Sequence, residues 1–204
     1  MNNNHNSHHK QRLILNYIVP ILGLSLLTDK RLIDELLLHS RLHFIVKGQF
    51  LETPGNWNDG HIWFSIEAMV HSYYTCQDMQ VNCGRQIWKK QTFIFDNQSF
   101  YDRQYRSDYI QAIEPGDFIS IPYPELNWLD EHFVSIKQHL NQLSRVQQRY
   151  YRHHVQLLNK PPLEKVRSYI DMHKLFSTVA NNTINGMHTG LSRQGYENQL
   201  KKLR

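Results

Sequence analysis

Gly186-Met187-His188-Thr189-Gly190-Leu191-Ser192-Arg193-Gln194-Gly195-Tyr196-Glu197-Asn198-Gln199-Leu200-Lys201-Lys202-Leu203 is the stretch whose spacing decides the fold. Two helices joined by a tight turn need a small residue where they cross. Four positions later they need a residue that tolerates positive φ. Gly186 and Gly190 have that spacing. Leu191 and Tyr196 then fall where the second helix packs on the first. Ser192 stands where it can cap that helix. Arg193, Gln194 and Asn198 are left facing outward from its first turns.

Upstream, Pro161-Pro162 breaks the chain's helical periodicity and marks a boundary. Between the prolines and Gly186, the spacing predicts a helix over Leu163–His173 with Val166, Tyr169 and Ile170 inward. Asn181-Asn182-Thr183 offers a further helix start. On the other side of Pro161, Phe133, Ile136, Leu140 and Leu143 follow a 3-4-3 spacing. Val146 and Tyr150 continue it, with Leu157 seven further on. One helix of roughly 25–30 residues is predicted, well above the usual globular length. Its stripe, flanked by Gln, Lys, Arg and His, suits a two-stranded parallel coiled coil. Phe133, Ile136, Leu140, Leu143 and Tyr150 are therefore expected to hold a homodimer.

From His43 to Ile121 the texture is that of strands. Phe44–Val46, Phe50–Leu51, Ile62–Phe64, Val70–Thr75, Ile87–Trp88, Phe93–Phe95, Tyr109–Ile113 and Phe118–Ile121 are short runs of β-formers. Turn signals at Gly48, Pro54-Gly55, Asn58–Gly60, Cys83-Gly84 and Glu114–Asp117 separate them. Many short strands with regular turns indicate a jelly-roll-like barrel. Residues 11–38 read as helical, and Met1–His9, rich in Asn and His, as a disordered tail.

Charge is unevenly placed. The 204-residue chain carries a formal +5 at pH 7. Residues 1–155 hold 15 Lys and Arg against 15 Asp and Glu, whereas residues 156–204 hold 8 against 3. The whole excess thus lies beside the two-helix motif, as a nucleic-acid contact would require. Arg193 suits the guanine edge, and Gln194 or Asn198 suits adenine. Thr189, Lys201, Lys202 and Arg204 suit phosphates, and Ser192 belongs to the same face.

The remaining classes are excluded by pattern. The apolar stretch Leu13–Leu27 is interrupted by Asn16 and Pro20, which argues against a membrane span. No signal-peptide pattern is present. Cys76 and Cys83 fit neither a redox nor a zinc spacing, so a reduced cytoplasmic chain without metal or cofactor is expected. Nothing resembles a catalytic constellation, so no enzyme is expected. A cupin-like metal-binding barrel would have to draw on His61, Glu67 and His71. A dimeric sensor acting through a protein partner, with a vestigial nucleic-acid domain, is the other alternative.

The motif Gly190-Leu191-Ser192-Arg193 resembles the turn that opens the recognition helix of Crp/Fnr family transcription regulators. Lys47-Gly48-Gln49-Phe50-Leu51, Gly55 and His61–Phe64 with Val70 resemble that family's β-roll. Phe100, Arg106-Ser107 and Ile110–Glu114 resemble its phosphate-holding strand and turn. The resemblance spans residues 12–204 and implies an α+β fold. A tail (1–11) would precede a cyclic-nucleotide-binding-type β-roll sensor (12–129), a dimerisation helix (130–159) and a winged helix-turn-helix (160–204). It implies a homodimeric, sequence-specific DNA-binding regulator. DNA, a second copy, RNA polymerase and an unidentified small-molecule effector would be its partners. In the effector pocket, Phe95-Asp96 and Arg106-Ser107 stand where relatives carry a Gly-Glu and an Arg-Ser pair. Without that glycine the backbone cannot approach a nucleotide closely, so cyclic AMP is not the expected effector. Asn185, Thr189, Gly195 and Asn198 depart from the family's usual residues.

Overall fold

The computed structural model describes residues 3–203, with side chains from Asn6 onward. Helix α1 (Asn3–Leu13) runs through a π-helical turn (Ile14–Ile18) into the short α2 (Val19–Ile21), and α3 (Lys30–His39) follows. Met1 and Asn2 lie outside the described residues, but the rest of the expected tail is helical rather than disordered. Its later residues are tied to the body. His9 lies 2.7 Å from the Asp117 carboxylate, and the Lys10 ammonium donates to the carbonyls of Leu37 and Ser40. Ile14 and Ile18 bury the next turns against Phe64 and Ile119.

Eight strands follow: β1 (Arg41–Ile45), β2 (Phe50–Glu52), β3 (His61–Ser65), β4 (Val70–Cys76), β5 (Val81–Trp88), β6 (Thr92–Ile94), β7 (Tyr109–Ala112) and β8 (Gly116–Pro122). Each overlaps one of the eight predicted runs. They form two antiparallel four-stranded sheets, ordered β1-β8-β3-β6 and β2-β7-β4-β5. Between them Ile45, Leu51, Trp63, Val70, Ile94 and Phe118 form an apolar core. The β4–β5 turn is Gln77–Gln80, with Gln80 at φ +54°, and not Cys83-Gly84. Those two residues lie inside β5, and Cys76 and Cys83 are free thiols facing Val81 and Tyr74 across the hairpin.

Helix α4 (Asn97–Asp102) interrupts the roll between β6 and β7. After β8 come α5 (Tyr123–His132) and α6 (Val134–Leu158), then α7 (Pro162–Met172), α8 (Lys174–Val179), α9 (Asn182–Thr189) and α10 (Arg193–Leu203). The 25-residue α6 ends before Pro161-Pro162, as the periodicity requires. No strand follows β8 among the described residues, so the expected wing is not seen there. A helix, α8, which the sequence reading left out, lies between α7 and α9.

The seam of α6 is used differently from expectation. Ile136 and Leu140 are 4% and 2% exposed within a single chain. They pack with Leu36, Ile62, Phe95, Ile121 and Leu126, and Phe133 and Leu143 are partly buried against the same cluster. Leu157 joins a second core, with Met69 and Ile87 from the roll and Val166, Tyr169 and Tyr196 from the C-terminal helices. The stripe is thus the helix's own attachment to the roll. The outward face carries Val134 and Val146 among Arg145, Arg149 and Arg152, whereas Val155 lines a groove beside β4, β5 and α9; α6 contains no acidic residue.

Candidate nucleic-acid interface

Helices α9 and α10 meet as the two glycines demand. Gly190 takes φ +62° at the turn. A Cβ on Gly186 would lie 2.7 Å from the Leu191 carbonyl oxygen, so only glycine allows this crossing. The Asn181 side chain caps α9 by accepting from the Ile184 N–H, and Ser192 Oγ accepts from the Gly195 N–H at 3.0 Å. Tyr196 is 2% exposed and anchors α10 on α7.

Ser192, Arg193, Gln194, Asn198, Lys201 and Lys202 are exposed, on the accessible side of α10. Arg193 Nε donates to Glu197 at 2.9 Å, and Gln194 donates to Asn198 at 3.1 Å. Both pairs are one turn apart and solvated, so a partner can displace them at small cost. Thr189, expected at a phosphate, faces inward instead. It is fully buried and donates its hydroxyl to the Asn185 and Gly186 carbonyls, so it cannot touch phosphate. Arg204 lies outside the described residues.

Asn185 is also buried, and its polar atoms are satisfied. It accepts from the Tyr169 hydroxyl at 2.8 Å and donates to the Ser177 and Ala180 carbonyls. Such a network holds α7, α8 and α9 in one arrangement.

The expected effector residues are brought close but differently employed. Arg106 is 7% exposed, so it is no surface arginine. Its guanidinium is ion-paired to the buried Glu52 carboxylate, and its Nε donates to the Asn56 carbonyl. The charge that would grip a phosphate is therefore already neutralised. Ser107 is exposed beside Asp108 and Arg85. Asp96 caps α4 by accepting from the Ser99 N–H, and burial, with Asp108 nearby, raises its pKa. Phe95 is buried against Phe100 and Tyr123. His61, Glu67 and His71 do not converge. His61 faces Glu52, Glu67 is exposed, and His71 faces Gln111 and His188.

Sequence reasoning missed a histidine cluster where the roll meets the C-terminal helices. The Gln111 amide donates to the Gly48 carbonyl, so its oxygen accepts from His71 Nε2 at 3.2 Å. His71 Nδ1 then accepts from His188 Nε2 at 3.2 Å, which leaves His188 Nδ1 a bare, buried lone pair. His154 lies beside them and donates to the Gly84 carbonyl. Burial pushes His71 and His173 down to about 4, and His188, which also faces His71, His154 and His173, well below its ordinary value. No spacing signal could reveal a pair 117 residues apart. Gly84 makes this docking fit, since a Cβ there would lie 2.5 Å from His188 Nδ1 and 2.8 Å from its Cα. Gly84→Ala is expected to destabilise the chain by about 1–3 kcal/mol, through overpacking against backbone that cannot retreat. A thermal melt checks this; an unchanged midpoint would mean the interface is looser than described.

A β-roll, a long helix and a glycine-turned helix pair together define the architecture of Crp/Fnr-type regulators, and this chain has that fold. Its similarity extends to the global regulator CLP of Xanthomonas campestris, a c-di-GMP-responsive protein, at 16% identity over 86% of this chain and 91% of that one, with a TM-score of 0.68. A Crp/Fnr family regulator from Eubacterium rectale matches at 10% identity over 88% and 86%, with a TM-score of 0.71. FixK2 from Bradyrhizobium japonicum matches at 12% over 80% and 84%, at 0.65. No family profile and no curated protein matches the sequence. Among the described residues no helix is long and apolar enough to cross a membrane.

Proposed function

We propose that the chain is a sequence-specific DNA-binding transcription regulator in which α10 enters the major groove. The observation that carries this is the glycine-fixed α9–α10 turn, which leaves Arg193, Gln194, Asn198, Lys201 and Lys202 on one open face. Arg193 and Gln194, in the first turn, read base edges, and Lys201 and Lys202, two turns on, hold phosphates. Arg193→Ala is expected to cost about 1–3 kcal/mol and to relax preference at one base pair. Lys201→Ala is expected to weaken all sequences alike and to reduce the salt slope by about one. Titrating both variants against specific and scrambled duplexes over a salt series separates the roles. Equal loss on every duplex for Arg193→Ala would make it a phosphate contact, and no binding at low salt would overturn the reading.

The homodimer belongs to this proposal in altered form. With Ile136 and Leu140 spent inside the chain, two copies would pair through the outer face of α6, around Val134 and Val146. Like-charged Arg145, Arg149 and Arg152 oppose that pairing, so it is expected to strengthen with salt. Because Glu52 neutralises Arg106, the effector is not cyclic AMP in this reading.

A further inference from the structure

Two adjoining cavities, of about 310 and 400 Å³, lie between the end of β5 and the α7–α8 junction and share Ile87, Lys89, Met172 and His173. Each is within the size range of small-molecule sites. The larger is floored by Met69, Ile87 and Phe176, all buried. At its lip Met172 and Leu175 are 44% and 73% exposed, apolar surface that a bound apolar group would cover.

Charge is confined to the rim. Lys89, Lys90 and Lys174 surround the opening against one acid, Asp171. Lys90 is engaged by Glu114, whereas Lys89 and Lys174 have no ion-pair partner among the described residues. The wall of the smaller cavity holds Tyr150 and the half-buried His154 and His173, with His153 exposed beside them. Burial keeps His154 and His173 neutral near pH 7. A ligand that fits has an apolar body inside and a single negative charge at the mouth. Lysine ammoniums are point charges, and no arginine fork lines the groove to grip a phosphate bidentately.

We propose that this groove binds a small amphipathic carboxylate, its chain on Met69, Ile87 and Phe176 and its carboxylate at Lys89 and Lys174. Ile87 and Lys89 belong to the roll, whereas Met172 to Phe176 belong to the helices that carry α10. The bound molecule therefore bridges the two parts of the chain. The site stands whether or not α10 binds DNA.

The test is calorimetric titration of the full chain with decanoate and with decan-1-ol. Decanoate is expected to bind with one-to-one stoichiometry. The double variant Lys89→Gln/Lys174→Gln should lose about fivefold to tenfold in decanoate affinity, with its weaker affinity for decanol unchanged. Both lysines are exposed, so the variant keeps its fold. Met172→Trp, which fills the shared part of the groove, should abolish binding of both. No heat with decanoate at millimolar concentration would overturn the proposal. So would decanoate affinity that is the same with and without the two lysines.

Discussion

Replacing Leu140 with aspartate is expected to leave no folded protein, rather than a folded monomer. Leu140 is 2% exposed and packs inside its own chain with Leu126, Leu129 and Ile136. Truncating such a leucine alone costs about 2–5 kcal/mol. Placing a carboxylate in the same cluster adds several kcal/mol, because its surroundings are apolar apart from the imidazole of His139. The sum rivals the whole stability of a typical domain, about 5–15 kcal/mol. Near-ultraviolet circular dichroism of any soluble Leu140→Asp protein should therefore show lost tertiary packing. Val146→Asp, on the outward face and 45% exposed, should keep the native spectrum. If two copies pair through that face, the Val146 variant sediments as a monomer while the wild type does not. A native spectrum for Leu140→Asp would show that α6 is not attached to the roll as described.

Acid should loosen the chain through its buried histidines before it titrates the carboxylates. In the unfolded chain an imidazole titrates near 6.5, and in the fold His71 and His173 stay neutral down to about 4. Above pH 6.5 both states are neutral, and these groups add no pH dependence. Between 6.5 and 4 the unfolded chain takes up protons that the folded chain excludes, so stability falls as pH falls. The slope is about 1.4 kcal/mol per pH unit per histidine, hence about 3 for the two. His188 and His154, also lowered, act in the same direction. Asp96 and Asp130, raised by burial, oppose the trend in the carboxylate range, so the histidine slope is best read above pH 5. His173→Gln should remove one titrating group and shallow the slope by about 1.4 kcal/mol per unit. Urea unfolding at successive pH values measures this. Stability that is flat from pH 7 to 5 would mean these imidazoles titrate in the fold as they do in the unfolded chain.

The acid-labile contact couples β4 to α9, the helix that carries α10. His71 and His188 hold the roll against the C-terminal helices, and Gly84 lets His188 approach. Adding a proton to His188 places an N–H at Nδ1, where no acceptor waits. That leaves a buried, unsatisfied charge. Loss of this docking is expected to free the C-terminal helices before the roll itself melts, because the roll keeps its own core between the two sheets.

Elements under the control of local chemistry are legible from residue spacing. The eight strands follow from β-forming runs between turns, and the length of α6 from its apolar period and the proline pair that stops it. The α9–α10 turn follows from two glycines, one needed for positive φ and one for close approach. Each of these is set by a handful of neighbouring residues, so spacing is enough to find it. Spacing cannot express which distant surfaces meet. Periodicity shows that α6 has an apolar face, but not whether that face meets a second copy or its own roll. A short helix at Asn97–Asp102 and an N-terminal helix beginning at Asn3 lacked any strong pattern, and the burial of Phe100 and Leu13 against the body carries them. Arg106 looks the same in sequence whether it awaits a phosphate or is held by Glu52, 54 residues away. Thr189 looks like a phosphate contact until the turn of α9 faces it inward. The His71–His188 pair exists only because the C-terminal helices fold back onto β4 and β5. Partner choice for a buried charge or an apolar face is settled by which distant surfaces desolvate together, and that is a property of the packed chain.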